Sequence, residues 1–287
     1  MKHNLICLAT QILLISGIYV IPVNAQDSVI LNPNILQAIQ KNVDFLEEQI
    51  TNFLSHEETT IEEFDNKGRI KKTTKIISEY RAVLETAKPK QFYSVQSNLL
   101  NEERNVLSAK ENGKDKKIKN YPEPFPLKTG DGYTDLFVVF SKENEKYFDY
   151  KVKGIEKNKE RNAFIIEIQQ KENDIGKIEN WSWNVRYEGY VWVDIDTLEV
   201  IQLKRNMIAV EYKIIPEYIV VKREYFSTRY EYDKVWIKSQ FLMLPVIKTI
   251  ELFQENGQLS AVYKYNYSDF KSFDSSINIF YGDELHE

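Results

Sequence analysis

The sequence predicts an α+β protein: a curved antiparallel β-sheet, a half-barrel of about ten strands, with helices packed on its concave face. Two observations carry this. Residues 34–55 place apolar side chains at three- and four-residue steps, the period of a helix with one buried stripe. From His56 onward, alternating runs rich in Val, Ile, Thr, Tyr and Phe recur between turn-forming residues, in meander order. The helix stripe and the apolar sheet face each need a cover, and each can supply the other's.

Residues 187–206 organise the rest. Runs 190–195 and 198–203 alternate on either side of Asp196-Thr197 and read as a β-hairpin. Val191, Val193 and Ile195 share one face, while Tyr190, Trp192 and Asp194 share the other. In the helix before it, the stripe is Ile35, Leu36, Ile39, Val43, Leu46, Ile50, Phe53 and Leu54. Asn32 suits its N-cap and Pro33 its first position, where no amide donor is needed. Residues 56–85 read as a hairpin turning at Asp65-Asn66-Lys67-Gly68, and 91–98 as a further strand. The lysine-rich stretch 112–120 reads as a loop, followed by Pro122, Pro124 and Pro126. A second helix is expected over 131–145, with Leu136, Phe137 and Phe140 on one face. Strands follow at 147–155, 163–170, 217–229, 234–244, 248–255 and 258–270, the last two joined by Asn256-Gly257. Ala261, Tyr263, Tyr265 and Tyr267 share one face of the final strand.

The N-terminus reads as a cleaved secretion signal. Lys2 and His3 precede the apolar run 5–23, and Val23-Asn24-Ala25 offers a cleavage site before Gln26. The expected organisation is a signal peptide over 1–25 and a single domain over 26–287, periplasmic or secreted. Thr10, Gln11 and Pro22 interrupt the run, which is short for a membrane span. Cys7 lies ahead of most of it, the wrong side for lipid attachment. Cys7 is also the only cysteine, so the mature chain is expected to have neither a disulfide nor a catalytic thiol. A net charge of -5 argues against nucleic acid as a partner.

Catalytic and metal motifs are sparse. Asp194-Ile195-Asp196-Thr197-Leu198 resembles an aspartate phosphotransfer loop only superficially. Its fifth position is Leu198 and a strand follows, so a hairpin turn explains the short Asp and Thr side chains. The same stretch lacks the further oxygen ligands and glycine of a calcium loop. Past the leader only His56 and His286 remain, which leaves no triad and no histidine-rich zinc site. Glu167, Glu188, Asp194, Glu211 and Glu251 lie on or near strands, where alternation puts many acids on the wet face. No catalytic residue, metal or cofactor is expected. Phe137, Phe140, Trp181, Trp183, Trp192, Trp236 and Phe241 are the candidate lining of an apolar cavity, with ordinary core as the plainer alternative for each.

The C-terminal half carries a resemblance. The run GYVWVDIDTLEVIQLKRN from Gly189, then Val235-Trp236-Ile237-Lys238 leading to Leu244-Pro245, Glu251-Leu252-Phe253 and Tyr267-Ser268-Asp269-Phe270, resembles exported bacterial proteins of the outer-membrane lipoprotein-sorting (LolA/LolB-like) superfamily. It covers residues 147–279, with Trp236 and Leu244-Pro245 further apart than in that superfamily. The resemblance implies a half-barrel plugged by helices, with an apolar cavity for acyl groups, and it assigns no individual residue. The expected function is therefore a non-enzymatic, soluble carrier for a lipid, a lipoprotein acyl chain or another apolar ligand, with helix 34–55 as its lid. Two alternatives stand beside it: an envelope scaffold with a protein partner and a fully packed core, and a polysaccharide hydrolase that uses only carboxylates.

Overall fold

The computed structural model describes residues 29–50, 52–84, 100–118, 121–122, 133–142, 144–171, 185–209, 225–254 and 256–273. In chain order these form β1 (Val29–Ile30), α1 (Pro33–Gln49), β2 (Phe53–Phe64), β3 (Ile70–Leu84), β4 (Leu100–Glu111), β5 (Lys114–Asp115) and α2 (Tyr133–Phe140). After a 3₁₀ turn, Glu145–Tyr147, come β6 (Phe148–Asn158), β7 (Arg161–Gln170), β8 (Val185–Asp194), β9 (Val200–Ala209), β10 (Tyr225–Ile237), β11 (Gln240–Phe253) and β12 (Leu259–Ser272).

All twelve strands join one unclosed antiparallel sheet, ordered β1-β6-β7-β8-β9-β10-β11-β12-β2-β3-β4-β5. The meander from β6 to β12 is sequential, as expected from its turns. Two contacts break that order. β1 lies on the outer edge of β6, and β2 pairs with the last strand, β12. The chain leaves one end of the sheet and re-enters beyond β12, so α1 has to cross the sheet to connect them.

The composition of α1 suits that crossing. Asn32 caps it by accepting from the Asn34 amide at 2.9 Å, with Pro33 first in the helix. Leu36, Ile39, Val43 and Leu46 are buried in one cluster with Leu136, Phe137, Val139 and Phe140 of α2 and with Ile166, Val191, Leu203 and Tyr230 of the sheet. Polar side chains along α1 bind three separate regions. Gln40 donates to Glu145 at 3.0 Å, Asn42 to the Thr197 carbonyl at 3.0 Å, and Gln49 accepts from Gln240 at 3.0 Å. α2 is held to β9 by a buried Arg205–Asp135 ion pair. Two of its last carbonyls, at Val139 and Val138, accept from Tyr150 Oη at 2.5 Å and from Asn144 Nδ2 at 3.1 Å.

Several expectations shift. The first helix ends at Gln49, because Ile50 is extended (ψ 137°) and Phe53 and Leu54 pair with Ala82 and Arg81 of β3. Spacing of 50, 53 and 54 fits either a helix stripe or a strand, and two flanking ladders decide for the strand. The second helix covers only Tyr133–Phe140 of the expected 131–145, with the 3₁₀ turn after it. The lysine-rich stretch 112–120 does not start as a loop: Asn112 (φ 48°) and Gly113 (φ 81°) make a tight hairpin turn into β5. Stretch 234–244 is two strands, turned back at Lys238 and Ser239, both left-handed (φ 45° and 68°). The expected strands 234–244 and 248–255 meet in β11, which runs through Pro245 beside a register shift at Glu231/Tyr232, where a missing donor is tolerated. The expected strand 91–98 lies outside the described residues.

Gly189 marks a close approach of β8 to β9. A Cβ there would stand 2.2 Å from the Lys204 carbonyl oxygen. Gly189→Ala is expected to cost roughly 1–3 kcal/mol through overpacking, read as a lower urea midpoint at unchanged m-value.

Candidate functional site

Side chains that alternate along β2 define the site. Phe53, Ser55, Glu57, Thr59 and Ile61 are buried while their neighbours are more exposed, so they line the face that packs inward. The register adds their partners: Tyr267, Tyr265 and Tyr263 on β12 lie opposite Glu57, Thr59 and Ile61. On β3, Ser78 and Tyr80 lie opposite Glu57 and Ser55, and Arg104 of β4 lies opposite Tyr80. Lys248 of β11 lies between Tyr230 of β10 and Tyr265 of β12. The inward face is aliphatic beneath the helices and changes to tyrosine and charge over these strands.

Glu57 is fully buried, and burying an ionised carboxylate is tolerated only with a counter-charge and filled hydrogen bonds. Both are present. Arg104 Nε donates to both oxygens of Glu57, at 3.1 and 3.0 Å, and its Nη1 donates to Glu102 at 3.1 Å. Ser78 Oγ and Tyr121 Oη each donate to Glu57 Oε1 at 3.0 Å, and Thr59 Oγ1 does so at 3.3 Å. Tyr80 donates to the other oxygen of Glu102 at 3.0 Å. The guanidinium also lies over the rings of Tyr80 and Tyr121, at 4.9 and 5.0 Å from their centroids.

The protonation states follow from these contacts. Burial works against the charge on Arg104, but Glu102 and Glu57 outweigh it and hold the guanidinium firmly charged. Burial likewise pushes the Glu102 carboxyl up, while Arg104, Lys248 and its hydrogen bonds bring it below its usual range. Burial, reinforced by the charge of Glu57, raises the Tyr267 phenol, which therefore stays protonated as a donor.

Beside this network lies a small cleft. Phe53, Tyr80, Tyr230, Tyr267 and Phe270 line it with Pro245, and Lys248 and Glu102 complete the lining. β4 and β11 are separated by β12, β2 and β3, about 19 Å along a flat sheet at the usual strand spacing. For Glu102 and Lys248 to line one cleft, the sheet must curl around it.

The residues expected to line a cavity lie elsewhere or outside the described residues. Phe137 and Phe140 are core side chains of α2, packed under α1. Trp192 is half-buried on the opposite side of β8 from Val191 and Val193, its indole N–H donating to Glu156. Trp236 and Phe241 are exposed at the tip of the β10–β11 hairpin, in an edge-to-face pair with centroids 4.8 Å apart. Trp181 and Trp183 lie outside the described residues, as do Ala25 and Gln26. Asp194 caps its own turn, accepting from the Asp196 and Thr197 amides at 2.9 Å each. Of the cleft residues, alternation in the sequence marks only Tyr267, on the face it shares with Ala261, Tyr263 and Tyr265. The overlooked signal is charge in phase with that alternation: Glu57 in step with Thr59 and Ile61, and Lys248 in step with Ile250.

No protein-family model and no curated protein matches the chain. Solved structures resemble it at low similarity. A putative outer membrane lipoprotein-sorting protein domain from Vibrio parahaemolyticus is 12% identical over 85% of this chain and 94% of its own, with a TM-score of 0.40. A LolA superfamily protein from Nitrosomonas europaea is 13% identical over 83% and 94%, at 0.33. Lipoprotein LppX from Mycobacterium tuberculosis is 9% identical over 84% and 96%, at 0.27.

Two outcomes test the network. Arg104→Met leaves Glu57 buried without its cation and is expected to cost about 3–5 kcal/mol in chemical denaturation. Because the Glu102 pKa is lowered in the folded state, its stabilising effect is present above its ordinary value of 4.5 and fades as pH falls below it toward the folded value. Glu102→Gln should accordingly flatten the loss of stability of the native chain below about pH 4.5, measured by urea melts across the acid range.

Proposed function

We propose that this chain is an exported, non-enzymatic binding protein that carries an apolar or amphiphilic ligand, such as a lipid or a lipoprotein acyl chain. The supporting observation is the cleft itself, lined by five aromatic side chains and a proline together with Lys248 and Glu102. Such walls favour a hydrocarbon chain, since each buried methylene contributes about 0.8 kcal/mol. The cleft as it stands is far smaller than such a molecule, so a bound chain requires it to open. The leader over 1–25 would direct the domain out of the cytoplasm, where apolar cargo needs a carrier through water.

A second reading, an envelope interaction protein, draws on Trp236 and Phe241. They are 58% and 60% exposed, a large aromatic surface for a hairpin tip.

Native mass spectrometry of the mature protein from its own envelope fraction separates the two. The carrier reading expects a bound mass that organic extraction removes. A clean apo mass, unchanged after incubation with lipids, would sink it and leave the interaction reading.

A further inference from the structure

We infer that the tip of the β10–β11 hairpin, with Phe45 of α1 beside it, is a membrane-docking edge whose exposed aromatic rings seat in the interfacial layer of a phospholipid bilayer. The inference builds on the aromatic tip and not on the cleft, so it stands or falls apart from the carrier reading.

Among the described residues, the aromatic side chains more than half exposed are Phe45, Trp236 and Phe241, at 53%, 58% and 60%. They gather at one rim of the fold. Trp236 and Phe241 are the second cross-strand pair back from the Lys238-Ser239 turn, and their rings meet edge to face. The terminal pair, Ile237 and Gln240, points to the other side of the sheet. There Ile237 is buried in the core, and Gln240 donates to Gln49 of α1 at 3.0 Å. Phe45 precedes Gln49 by one helical turn on the same side of α1, so it flanks that contact. The rim therefore carries exposed aromatic rings on its sheet side and on its helix side, with the two glutamines between them.

Area decides the kind of partner. A whole aromatic side chain covers about 150–250 Å², so the exposed parts of these three sum to roughly 250–450 Å². A stable protein interface takes about 800 Å² from each partner. A bilayer needs neither that area nor a matching shape, because lipids close around whatever apolar surface is presented. Its headgroup layer also suits Trp, whose ring is apolar while its N–H needs a polar partner. Charges near the tip are already matched: Lys234 with Glu199 at 3.3 Å, Arg161 with Asp233 at 3.8 Å and Lys159 with Glu231 at 3.4 Å. The rings therefore drive the docking, and it requires neither anionic lipid nor low salt.

The test is flotation of the mature protein, expressed with its own leader, on phosphatidylcholine vesicles and on vesicles that also contain phosphatidylglycerol. Both should carry the protein, at low and at high salt. Partition should fall about ten-fold or more in the double variant Trp236→Ser/Phe241→Ser, with unchanged circular dichroism because both positions are exposed. Trp236→Phe keeps an apolar ring and should still float. Brominated phosphatidylcholine should quench part of the tryptophan emission of the native chain and none of that part in Trp236→Phe. No flotation on either vesicle overturns the inference, as does equal partition of the native chain and the double variant. Flotation confined to phosphatidylglycerol and lost at high salt overturns it in favour of charge. A dimer in light scattering that the double variant converts to monomer assigns the tip to a second copy of the chain and also overturns it. Unchanged partition in Phe45→Ser overturns the place of Phe45 at the edge.

Discussion

The structure depends most on keeping the Glu57 carboxylate charged where no water reaches it. The penalty for such a group is several kcal/mol unless a cation and enough donors surround it. Those donors come from four places in sequence: Thr59 on the same strand, Ser78 on β3, Arg104 on β4 and Tyr121 beyond β5. None is useful unless β2, β3 and β4 are in register and the stretch at Tyr121 returns over them. A one-residue slip of β2 would turn Glu57 to the other face and strand Arg104. The network therefore specifies register where a purely aliphatic face would tolerate more error.

The same pairing explains how aliphatic and polar surfaces coexist on one face. β6 to β9 present Ile166, Ile168, Val191, Val193 and Leu203 to the two helices. Past β12, tyrosines and charges take over, and α1 leaves that region to the cleft. The pairing of β2 with β12 joins the two parts, setting Phe53 of the first hairpin beside Phe270 of the last strand, with ring centroids 5.7 Å apart. The helix-covered side is aliphatic; the side beyond it gathers the Glu57–Arg104–Glu102 network.

Much of this was legible in the chain. The central hairpin, the Asp65–Gly68 turn and the Asn32 cap depend on neighbours within a few residues, and local chemistry decides such features. The end of α1 was not legible, because apolar spacing at Ile50, Phe53 and Leu54 satisfies both periods and only the ladders with β3 and β12 choose. Nor was the turn inside 234–244, where Lys238 and Ser239 take left-handed backbone without glycine. The aromatic residues chosen from sequence were the largest ones, but size does not say which face of a strand meets a cavity.

By itself the sequence determined the class of fold, the faces of the central hairpin and of the last strand, and the helix whose apolar stripe needs a cover, since these follow from side-chain periodicity. Only the tertiary structure decided that β2 joins β12, that the sheet curls to bring Glu102 and Lys248 to one cleft, and that tryptophans give way to tyrosines as its walls. The reason is range. Periodicity and turn chemistry act over a few residues, whereas Glu57 and Arg104, or Gln49 and Gln240, become neighbours only when strands far apart in the chain pair and the sheet closes partway around them.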